Sequence, residues 1–367
     1  MSMRRRILGL AAGAAGLAAA GTAVEVARRR RRIVARRGAG DRVAFGSLRS
    51  RPVTVVADDG VPLHVEVDEV DAAEAAEAAD GSGSDEGGGH PLLTVVFCHG
   101  YALNLDCWHF QRAAYRGLVR AVYYDQRSHG RSGRSTLGHA TIDQLGRDLK
   151  RILDEVVPEG PVVLVGHSMG GMSIVALAEE FPGLFGDRVA GAALISTTAG
   201  GLDPSRVLLP VLPMAVGSAL THRAVAILAR GHRSVDRLRR LGRGVAMVAT
   251  DVWAFGDAVP ASYVDCVDQM LSHTPFEVVA EFFPSFRTLD KFHAVAALAH
   301  VPTAIICGTA DRLTSVGHSR KLHAHIPGST LLECEKAGHM VILERHDQVN
   351  AELDQLLAAA AEVVDRK

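Results

Sequence analysis

Cysteine is scarce in this sequence, and its spacing is not typical of a metal site or a disulfide framework. The 367 residues include five cysteines, an odd number, and no two of them form a Cys-x-x-Cys pair. Neither a structural zinc site nor a set of disulfides is therefore predicted. Cys98, Cys307 and Cys334 fall within apolar runs, where we expect them to act as small buried hydrophobic residues.

The main part of the chain also has no surplus of positive charge. The formal net charge is -1, but of the 40 Lys and Arg residues about ten lie before residue 38, beside a single acid, Glu25. The remainder carries about 30 basic and 40 acidic side chains, a net charge of about -10. Phosphate binding needs a basic surface, so we do not expect a nucleic acid partner.

Length and composition allow one large folded unit. Hydrophobic residues make up 48% of the chain, and the part that follows the basic N-terminus is long enough to bury the core of a single α/β domain. A second domain of the same size would not fit.

The first 40 residues are predicted to be an anchor-like or signal-like segment. Three arginines within Met1–Arg6 precede Ile7–Ala27, which is rich in Ala, Gly and Leu, and five consecutive arginines follow at Arg28–Arg32. An apolar stretch of about 20 residues suits a membrane span. Arginines behind it oppose export, which favours a retained anchor with the rest of the chain on the cytoplasmic side. A cleaved export signal and an ordinary amphipathic helix remain open as alternatives.

Strand-like and helix-like patterns alternate through most of the remaining chain. A hairpin is predicted over Arg51–Val70, and residues 71–90, which lack large apolar side chains, are predicted to be a flexible acidic loop. The strands predicted after it are Leu92–Cys98, Ala121–Tyr124, Val162–Val165, Val189–Ser196, Thr303–Cys307 and Thr330–Cys334, and the helices are Thr141–Val157, Met172–Phe181, Val316–Ile326 and Asp347–Val364. Such alternation predicts an α/β fold with a doubly wound, mostly parallel sheet.

Residues 200–299 interrupt this alternation with a mostly helical pattern, which predicts an inserted cap between two parts of the core, 41–199 and 300–367. The predicted cap is rich in apolar side chains. They either line a site for an apolar acyl group or only pack the cap helices together, and both interpretations stay open. These residues are Leu208, Leu209, Val211, Leu212, Met214, Trp253, Phe255, Met270, Phe276, Phe282, Phe283 and Phe286.

The most informative motif lies between a buried strand and a helix. Val162–Gly171 reads VVLVGHSMGG and contains Gly-x-Ser-x-Gly with Ser168 at its centre. A sharp turn from strand to helix strains the serine backbone and projects its hydroxyl clear of the sheet, while Gly166 and Gly170 allow close packing. N–H groups at the start of the helix favour a negatively charged oxygen nearby. Ser168 is therefore a candidate nucleophile.

From about Arg51 to the C-terminus, apart from the acidic loop and the inserted cap, the chain resembles the α/β-hydrolase family, in particular serine esterases and lipases with a helical cap. Phe97–Tyr101 (FCHGY) is similar to the family's His-Gly turn, and Asp125–Ser132 (DQRSHGRS) is similar to its Asp-x-Arg-Gly-x-Gly-x-Ser loop. Ser128 stands where the family has glycine. Asp125 and Arg127 correspond to loop residues that are usually scaffolding.

The resemblance implies an oxyanion hole and a nucleophile elbow. The backbone N–H groups of Tyr101 and Met169 correspond to the two donors that hold the developing oxyanion in the family. Gly166, His167 and Gly170 correspond to the elbow around the nucleophile.

The acid and the base are expected after two later strands, because the family's chain order is serine, acid, histidine. Asp311 follows the strand Thr303–Cys307, and His339 follows Gly338 after the next strand. Some relatives carry the acid after the strand that follows the nucleophile, but here no carboxylate occurs there before Asp203. Asp311 and His339 are therefore the predicted partners of Ser168.

These residues predict hydrolysis of a small-molecule carboxylic ester, with a lipid ester as one candidate, through an acyl-enzyme on Ser168 and without a metal or organic cofactor. Three further chemistries on the same three residues stay open: a perhydrolase, a thioesterase and a hydrolase of C–C bonds. A non-catalytic binding protein that kept the fold is the alternative from another class.

Overall fold

An eight-stranded sheet with the strand order β1-β2-β4-β3-β5-β6-β7-β8 lies at the centre of the molecule. The computed structural model describes residues 24–38, 43–71, 93–136, 138–203 and 243–366. The strands are β1 (Pro52–Val56), β2 (Pro62–Asp68), β3 (Thr94–Cys98), β4 (Arg120–Tyr124), β5 (Val162–His167), β6 (Val189–Ile195), β7 (Thr303–Gly308) and β8 (Thr330–Cys334).

Helices lie around the sheet, and helices also form most of the described part of the segment inserted between β6 and β7. They are α1 (His109–Tyr115), α2 (Ile142–Val156), α3 (Met169–Glu180), α4 (Arg243–Ala254), α5 (Ala261–His273), α6 (Phe276–Thr288), α7 (Val316–His325), α8 (Val341–Glu344) and α9 (His346–Asp365). Short 3₁₀ turns lie at Leu105–Trp108, Pro182–Leu184 and Ala294–His300.

The strands from β4 to β8 in this order run parallel, whereas β2 is antiparallel to both of its neighbours, β1 and β4. Both the predicted hairpin and the predicted doubly wound, mostly parallel α/β fold are confirmed. The hairpin turn closes where the N–H of Gly60 donates to the carbonyl of Ala57 (2.9 Å), with Gly60 at a φ of 84°, a conformation that glycine adopts without strain.

The central strands are buried on both faces, as their continuous apolar sequences predict. All residues of β3, β5, β6 and β7 are buried. Successive side chains of β3 enter different cores, because side chains alternate across a sheet. Phe97 packs in the core that contains residues of α1 and α9, whereas Val96 packs in the core that contains residues of α2 and α3.

Most of the predicted elements lie within two residues of the observed ones, and the largest difference concerns α3. The sequence placed its start at Met172, but the helix begins at Met169. Gly170 and Gly171 have low helix propensity. Their lack of side chains nevertheless lets this first turn pack closely against its neighbours, and that tertiary contact outweighs propensity.

Several sequence predictions fall partly or wholly outside the described residues. The flexible acidic loop predicted for 71–90 is one of them, since 72–92 are not described. Of the insertion predicted to form a cap, α4 to α6 are described and 204–242 are not, so the domain boundaries remain predictions. All five cysteines are described, and each is buried and free of disulfides.

The basic N-terminal segment contributes a helix, residues 24–35, which we call the arginine helix. Ile33 is fully buried in the same apolar cluster as Met247 and Val248 of α4. Within the described residues, no helix has both the length and the apolar character needed to cross a membrane. The apolar residues before position 24 lie outside the described part of the chain.

In the loop after β4, Ser128 stands where the family that the chain resembles has glycine. Ser128 has a φ of 65°, the left-handed region that glycine adopts most readily. Its hydroxyl accepts a hydrogen bond from the N–H of Ser135 (2.8 Å). The position therefore needs a left-handed backbone, and the serine helps to hold that conformation through its side chain.

The same loop holds a buried ion-pair network. The Arg127 guanidinium, which is fully buried, donates to both carboxylate oxygens of Asp148 at 2.6 Å and to those of Asp59 at 2.7 and 3.1 Å. Asp59 lies in the hairpin turn and Asp148 in α2, so Arg127 connects three elements that are distant in sequence. This geometry fits the predicted scaffolding role.

We predict that Arg127→Ala lowers the free energy of unfolding by about 3–5 kcal/mol, because it leaves the buried Asp148 carboxylate without its charged partner. Arg147→Ala is the matched control, since Arg147 of the same region pairs with Glu180 through Nε on the exposed surface. The control substitution should cost less than about 1 kcal/mol. Denaturant unfolding of both variants measures the difference, and equal costs would contradict the structural role of Arg127.

Candidate active site

Ser168 occupies a strained turn between β5 and α3. Its φ of 52° and ψ of -116° are uncommon for a residue with a side chain. The backbone is held on both sides: the N–H of Ser168 donates to the carbonyl of Ile195 (2.9 Å), and its carbonyl accepts from the hydroxyl of Thr197 (2.6 Å). The surrounding hydrogen bonds therefore stabilise a conformation that the serine would not adopt alone.

The glycines beside Ser168 are required by close backbone contacts. A Cβ atom on Gly166 would lie 2.6 Å from backbone atoms of Gly170 and Gly171, and one on Gly170 would collide with the carbonyl oxygen of Cys98 in β3. These contacts bring the first turn of α3 against the end of β3. The turn at Gly-x-Ser-x-Gly is thus strained and closely packed, and its role as a nucleophile elbow stays a prediction.

The ends of adjacent parallel strands bring the predicted acid and base together. Asp311 follows β7 and His339 follows β8, and these strands pair so that Gly308 lies opposite Cys334. The Nδ1 atom of His339 lies 2.9 Å from Oδ2 of Asp311, and both side chains are buried. Because a carboxylate only accepts, Nδ1 carries the proton and donates it.

The Asp311 carboxylate is held as an anion. Burial alone would raise the pKa of Asp311, but the charge and hydrogen bond of His339, with further hydrogen bonds from Leu313 and Thr314, outweigh burial and lower it below the usual value. Oδ1 accepts from the N–H groups of Leu313 (2.8 Å) and Thr314 (3.0 Å), and Oδ2 accepts from the Thr314 hydroxyl (2.9 Å). The carboxylate is therefore fixed in orientation before any ligand binds.

His339 lies beside the elbow that carries Ser168. The Nε2–H of His167 donates to the carbonyl of His339 (2.9 Å), and the centres of the two rings are 4.9 Å apart. Burial lowers the pKa of His167 to about 3, so this ring is neutral. Within the described residues no hydrogen bond joins Ser168 Oγ to His339; such contacts often tighten only when a substrate is bound.

The two predicted oxyanion donors lie on neighbouring strand ends. Cys98 at the end of β3 pairs with Gly166 of β5, so the turn that contains Tyr101 is beside the turn that contains Met169. Met169 is the first residue of α3, where N–H groups have no acceptor within the helix. A Cβ on Gly100 would lie 2.7 Å from Nδ1 of His167, which shows how closely the two turns approach.

His99 braces the turn before Tyr101. Its Nδ1 lies 2.7 Å from the carbonyl of Gly100, and its Nε2 accepts from the N–H of Gln126 (2.9 Å). Burial lowers the pKa of His99 to about 3. Both ring nitrogens are engaged by the backbone in a neutral ring, which agrees with a structural role for this histidine.

The inserted helices α4 to α6 close over this region through apolar and polar contacts. The Tyr101 hydroxyl donates to the carbonyl of Val279, and its ring meets the edge of Phe286 with centres 4.9 Å apart. Phe282 and Phe286 belong to the apolar cluster that contains Met169. Phe255 and Met270 instead belong to the large core cluster. Among the described apolar residues of the insertion, Phe282 and Phe286 therefore lie beside the elbow, and Phe255 and Met270 belong to a different cluster.

Glu344 was not identified from the sequence, yet it joins the insertion to the loop that carries His339. Its Oε2 accepts from the N–H groups of Gly338 (2.7 Å) and Gly256 (3.1 Å), and its Oε1 accepts from the N–H of Asp257 (2.7 Å). The N–H of Met340 also donates to the carbonyl of Ala254 (2.8 Å). A carboxylate five residues after the predicted base was the available signal, but the sequence does not reveal its partners.

The described residues contain no group of three or more His, Cys, Asp or Glu side chains arranged to hold a metal ion. His318 is partly buried, with its Nδ1 atom 3.0 Å from the hydroxyl oxygen of Thr198. The polar groups that converge at this edge of the sheet are therefore those of Ser168, Asp311 and His339, with Thr314 behind them.

Comparison with models of known protein families shows to which family the chain belongs. A model described as the alpha/beta hydrolase family matches residues 95–352. The chain belongs to the alpha/beta hydrolase family. This match spans the strand before the His-Gly turn, the elbow and the loops that carry Asp311 and His339.

Curated relatives differ in what they do. The chain is 37% identical over 269 residues to a non-heme chloroperoxidase of Streptomyces lividans, covering 71% of this chain and 90% of that protein. It is 26% identical over 267 residues to the dihydrolipoyllysine-residue acetyltransferase component of an acetoin cleaving system of Pseudomonas putida, covering 72% of this chain but only 63% of that protein.

Among solved structures, the chain is similar to a thermophilic esterase from Thermogutta terrifontis, with a TM-score of 0.62 and 21% sequence identity. The likeness covers 85% of this chain and 99% of the esterase. At this identity it establishes a shared fold.

We predict that Gly170→Ala destabilises the protein by about 3 kcal/mol or more, because its Cβ would strike the backbone of β3 and neither element can move freely. Gly183→Ala is the control, since a Cβ there meets nothing within 4 Å. Thermal unfolding of the two variants measures the effect. A G170A melting temperature equal to that of the control would show that the close contact at the elbow is not required.

Proposed function

We propose that this protein is a serine hydrolase that cleaves carboxylic esters through an acyl-enzyme on Ser168. The observation that carries the proposal is the meeting, at one edge of the sheet, of a strained serine with the hydrogen-bonded pair of Asp311 and His339. A serine hydroxyl is a weak nucleophile that needs an adjacent base, and the base needs an orienting carboxylate.

In the proposed reaction, Nε2 of His339 takes the hydroxyl proton as Ser168 Oγ attacks the ester carbonyl. Asp311 holds the Nδ1 proton of the imidazole, which leaves Nε2 as the acceptor, and stabilises the positive charge that forms. His339 then returns the proton to the departing alcohol. Water, deprotonated by His339, attacks the acyl-enzyme and releases the carboxylic acid.

The proposed oxyanion hole consists of the backbone N–H groups of Tyr101 and Met169. Their support is the close approach of the two turns and the position of Met169 at the start of α3. A preorganised donor of this kind is typically worth about 3 kcal/mol of transition-state stabilisation.

We infer that the insertion acts as a cap and that the acyl group is apolar. Phe282, Phe286 and Tyr101 form an apolar cluster with Met169, directly beside the proposed nucleophile. An acyl chain entering between these side chains would replace contacts with water by apolar contacts. Esters with a longer acyl chain, lipid esters included, are therefore the preferred substrate class.

The test of this proposal is covalent labelling. We expect a fluorophosphonate probe to label the wild-type protein but not Ser168→Ala, and ester turnover to fall at least about 10⁴-fold in that variant. Ser173→Ala is the matched control, because Ser173 lies on α3 and bonds to Gln126 and Met169, away from His339. The absence of labelling and turnover in the wild-type protein would instead favour a binding protein that retains the fold.

A series of p-nitrophenyl esters from short to long acyl chains tests the substrate class on the same samples. We expect kcat/KM to rise with chain length by about tenfold for each two methylene groups buried, until the apolar site is filled. A preference for acetate over all longer chains would contradict the apolar acyl site and leave the hydrolase assignment intact.

We predict that Glu344→Gln lowers kcat about 10- to 100-fold, because an amide N–H would face backbone N–H donors and displace the loop that carries His339. The exposed Glu333→Gln, which loses only a surface pair with Arg320, should leave kcat unchanged. Steady-state kinetics, with melting temperatures of both variants, separates this effect from unfolding. Unchanged kcat in folded Glu344→Gln would refute it.

A second candidate is favoured by the chloroperoxidase relative. In a perhydrolase, hydrogen peroxide attacks the acyl-enzyme in place of water and releases a peracid. Oxidation of bromide in the presence of acetate and hydrogen peroxide, absent in Ser168→Ala, would identify this activity. Hydrolysis of thioesters or of C–C bonds would use the same three residues. Assays with thioester substrates and with substrates cleaved at a C–C bond distinguish these activities from ester hydrolysis.

A further inference from the structure

The arginine helix carries an exposed run of five arginines that is almost without charged partners. Arg28–Arg32 are all exposed. Among the described residues, Arg29 pairs with Glu25 (3.1 Å), and the other four have no ion-pair partner. Like charges three and four positions apart on a helix repel each other. Within the described part of the chain, most of this positive charge is therefore not neutralised by an ion pair.

The helix that carries this charge is fixed to the insertion. Arg36 donates to Oδ1 of Asp251 in α4 (2.7 Å) and to the carbonyl of Val259 (3.3 Å), and Arg37 donates to Asp265 in α5 (2.6 Å). Ile33, which lies in the sequence between the arginine run and Arg36, is fully buried. The orientation of the helix against α4 and α5 is therefore determined by the apolar packing of Ile33 and Val26 and by two ion pairs.

With Ile33 directed into the molecule, the opposite side of the helix faces outward. At 100° per residue, Val24 lies 180° from Ile33, and Arg28 and Arg31 lie within 40° of that direction. Val24 and Val34 are 50% and 38% exposed. The outward surface thus combines arginines with two exposed valines, and we call it the arginine face (Val24, Arg28, Arg31, Arg32 and Val34).

We propose that the arginine face docks on an anionic phospholipid surface. Guanidinium groups bind phosphate oxygens, while exposed valines at their borders are suited to the boundary between headgroups and acyl chains. In the sequence, residues 7–23 before the helix are apolar and uncharged. The rest of the chain has about ten surplus acidic residues, so the attraction to an anionic surface is confined to the arginine face.

Docking in this way would place the insertion next to the lipid surface. The helices α4 and α5 contact the arginine helix on one side, and the end of α4 contacts the loop that carries His339 on the other. This proposal goes beyond the proposed hydrolase function and does not depend on it, because lipid binding is measured without any substrate.

The test uses the full chain and sedimentation with vesicles of phosphatidylcholine alone or with 30% phosphatidylglycerol. The variant R28Q/R29Q/R30Q/R31Q/R32Q removes the charge and keeps good helix formers. Each arginine near an anionic surface contributes about fivefold in affinity, so the three arginines of the arginine face account for about a 100-fold loss, and we expect at least that loss in this variant. Raising the salt concentration should weaken binding of the wild-type chain in parallel.

The matched control variant removes five positive charges from exposed positions outside the arginine helix. It replaces five exposed arginines with glutamine, and its binding should stay within about threefold of wild type. The positions are Arg116, Arg147, Arg151, Arg287 and Arg320.

Three results would overturn the proposal. The first is wild-type affinity in the arginine variant, which would assign binding to other residues. The second is equal binding to both kinds of vesicle. The third is arginine-dependent binding of a 20-base-pair DNA duplex without binding to vesicles, which would identify the arginine face as a nucleic acid surface.

Discussion

The close approach of α3 to the end of β3 is the constraint on which the candidate site depends. The backbone at Gly170 can contact the carbonyl of Cys98 because position 170 has no side chain, and this close packing accompanies the positive φ at Ser168, which hydrogen bonds to Ile195 and Thr197 stabilise. The turn that carries Tyr101 follows directly from β3, so the same contact also sets the distance between the two proposed oxyanion donors. The strained serine and its surroundings thus share one close packing contact.

Much of the fold and the position of the candidate site could be predicted from local sequence patterns. Buried parallel strands such as β3, β5 and β7 are short apolar runs, and parallel topology places the residues that follow them at one edge. Asp311 and His339 were therefore expected near Ser168, and the hydrogen bond between the first two agrees with that expectation. Their chemical roles, as opposed to their positions, remain a proposal.

Other features depend on contacts between distant parts of the chain, which local patterns do not encode. Glu344 looks like an ordinary helix residue in the sequence, and its partners at 256, 257 and 338 become apparent only after folding. The docking of Ile33 is similar, because only Val26, seven residues before it, shares its face of an otherwise arginine-rich helix, and two apolar residues do not reveal which part of the chain they contact. The start of α3 was placed too late for a related reason, since tertiary packing outweighs the low helix propensity of glycine.

The joint between the insertion and the loop of His339 has a consequence for how such proteins can diversify. Gly256 packs so closely on Gly338 that any side chain at 256 would collide with the neighbouring backbone, and Glu344 then binds both segments. An insertion exchanged between two members of the family would have to bring a matching joint with it, or it would displace the histidine loop. The exchange of insertions is therefore limited more by this joint than by the surface that would contact the substrate.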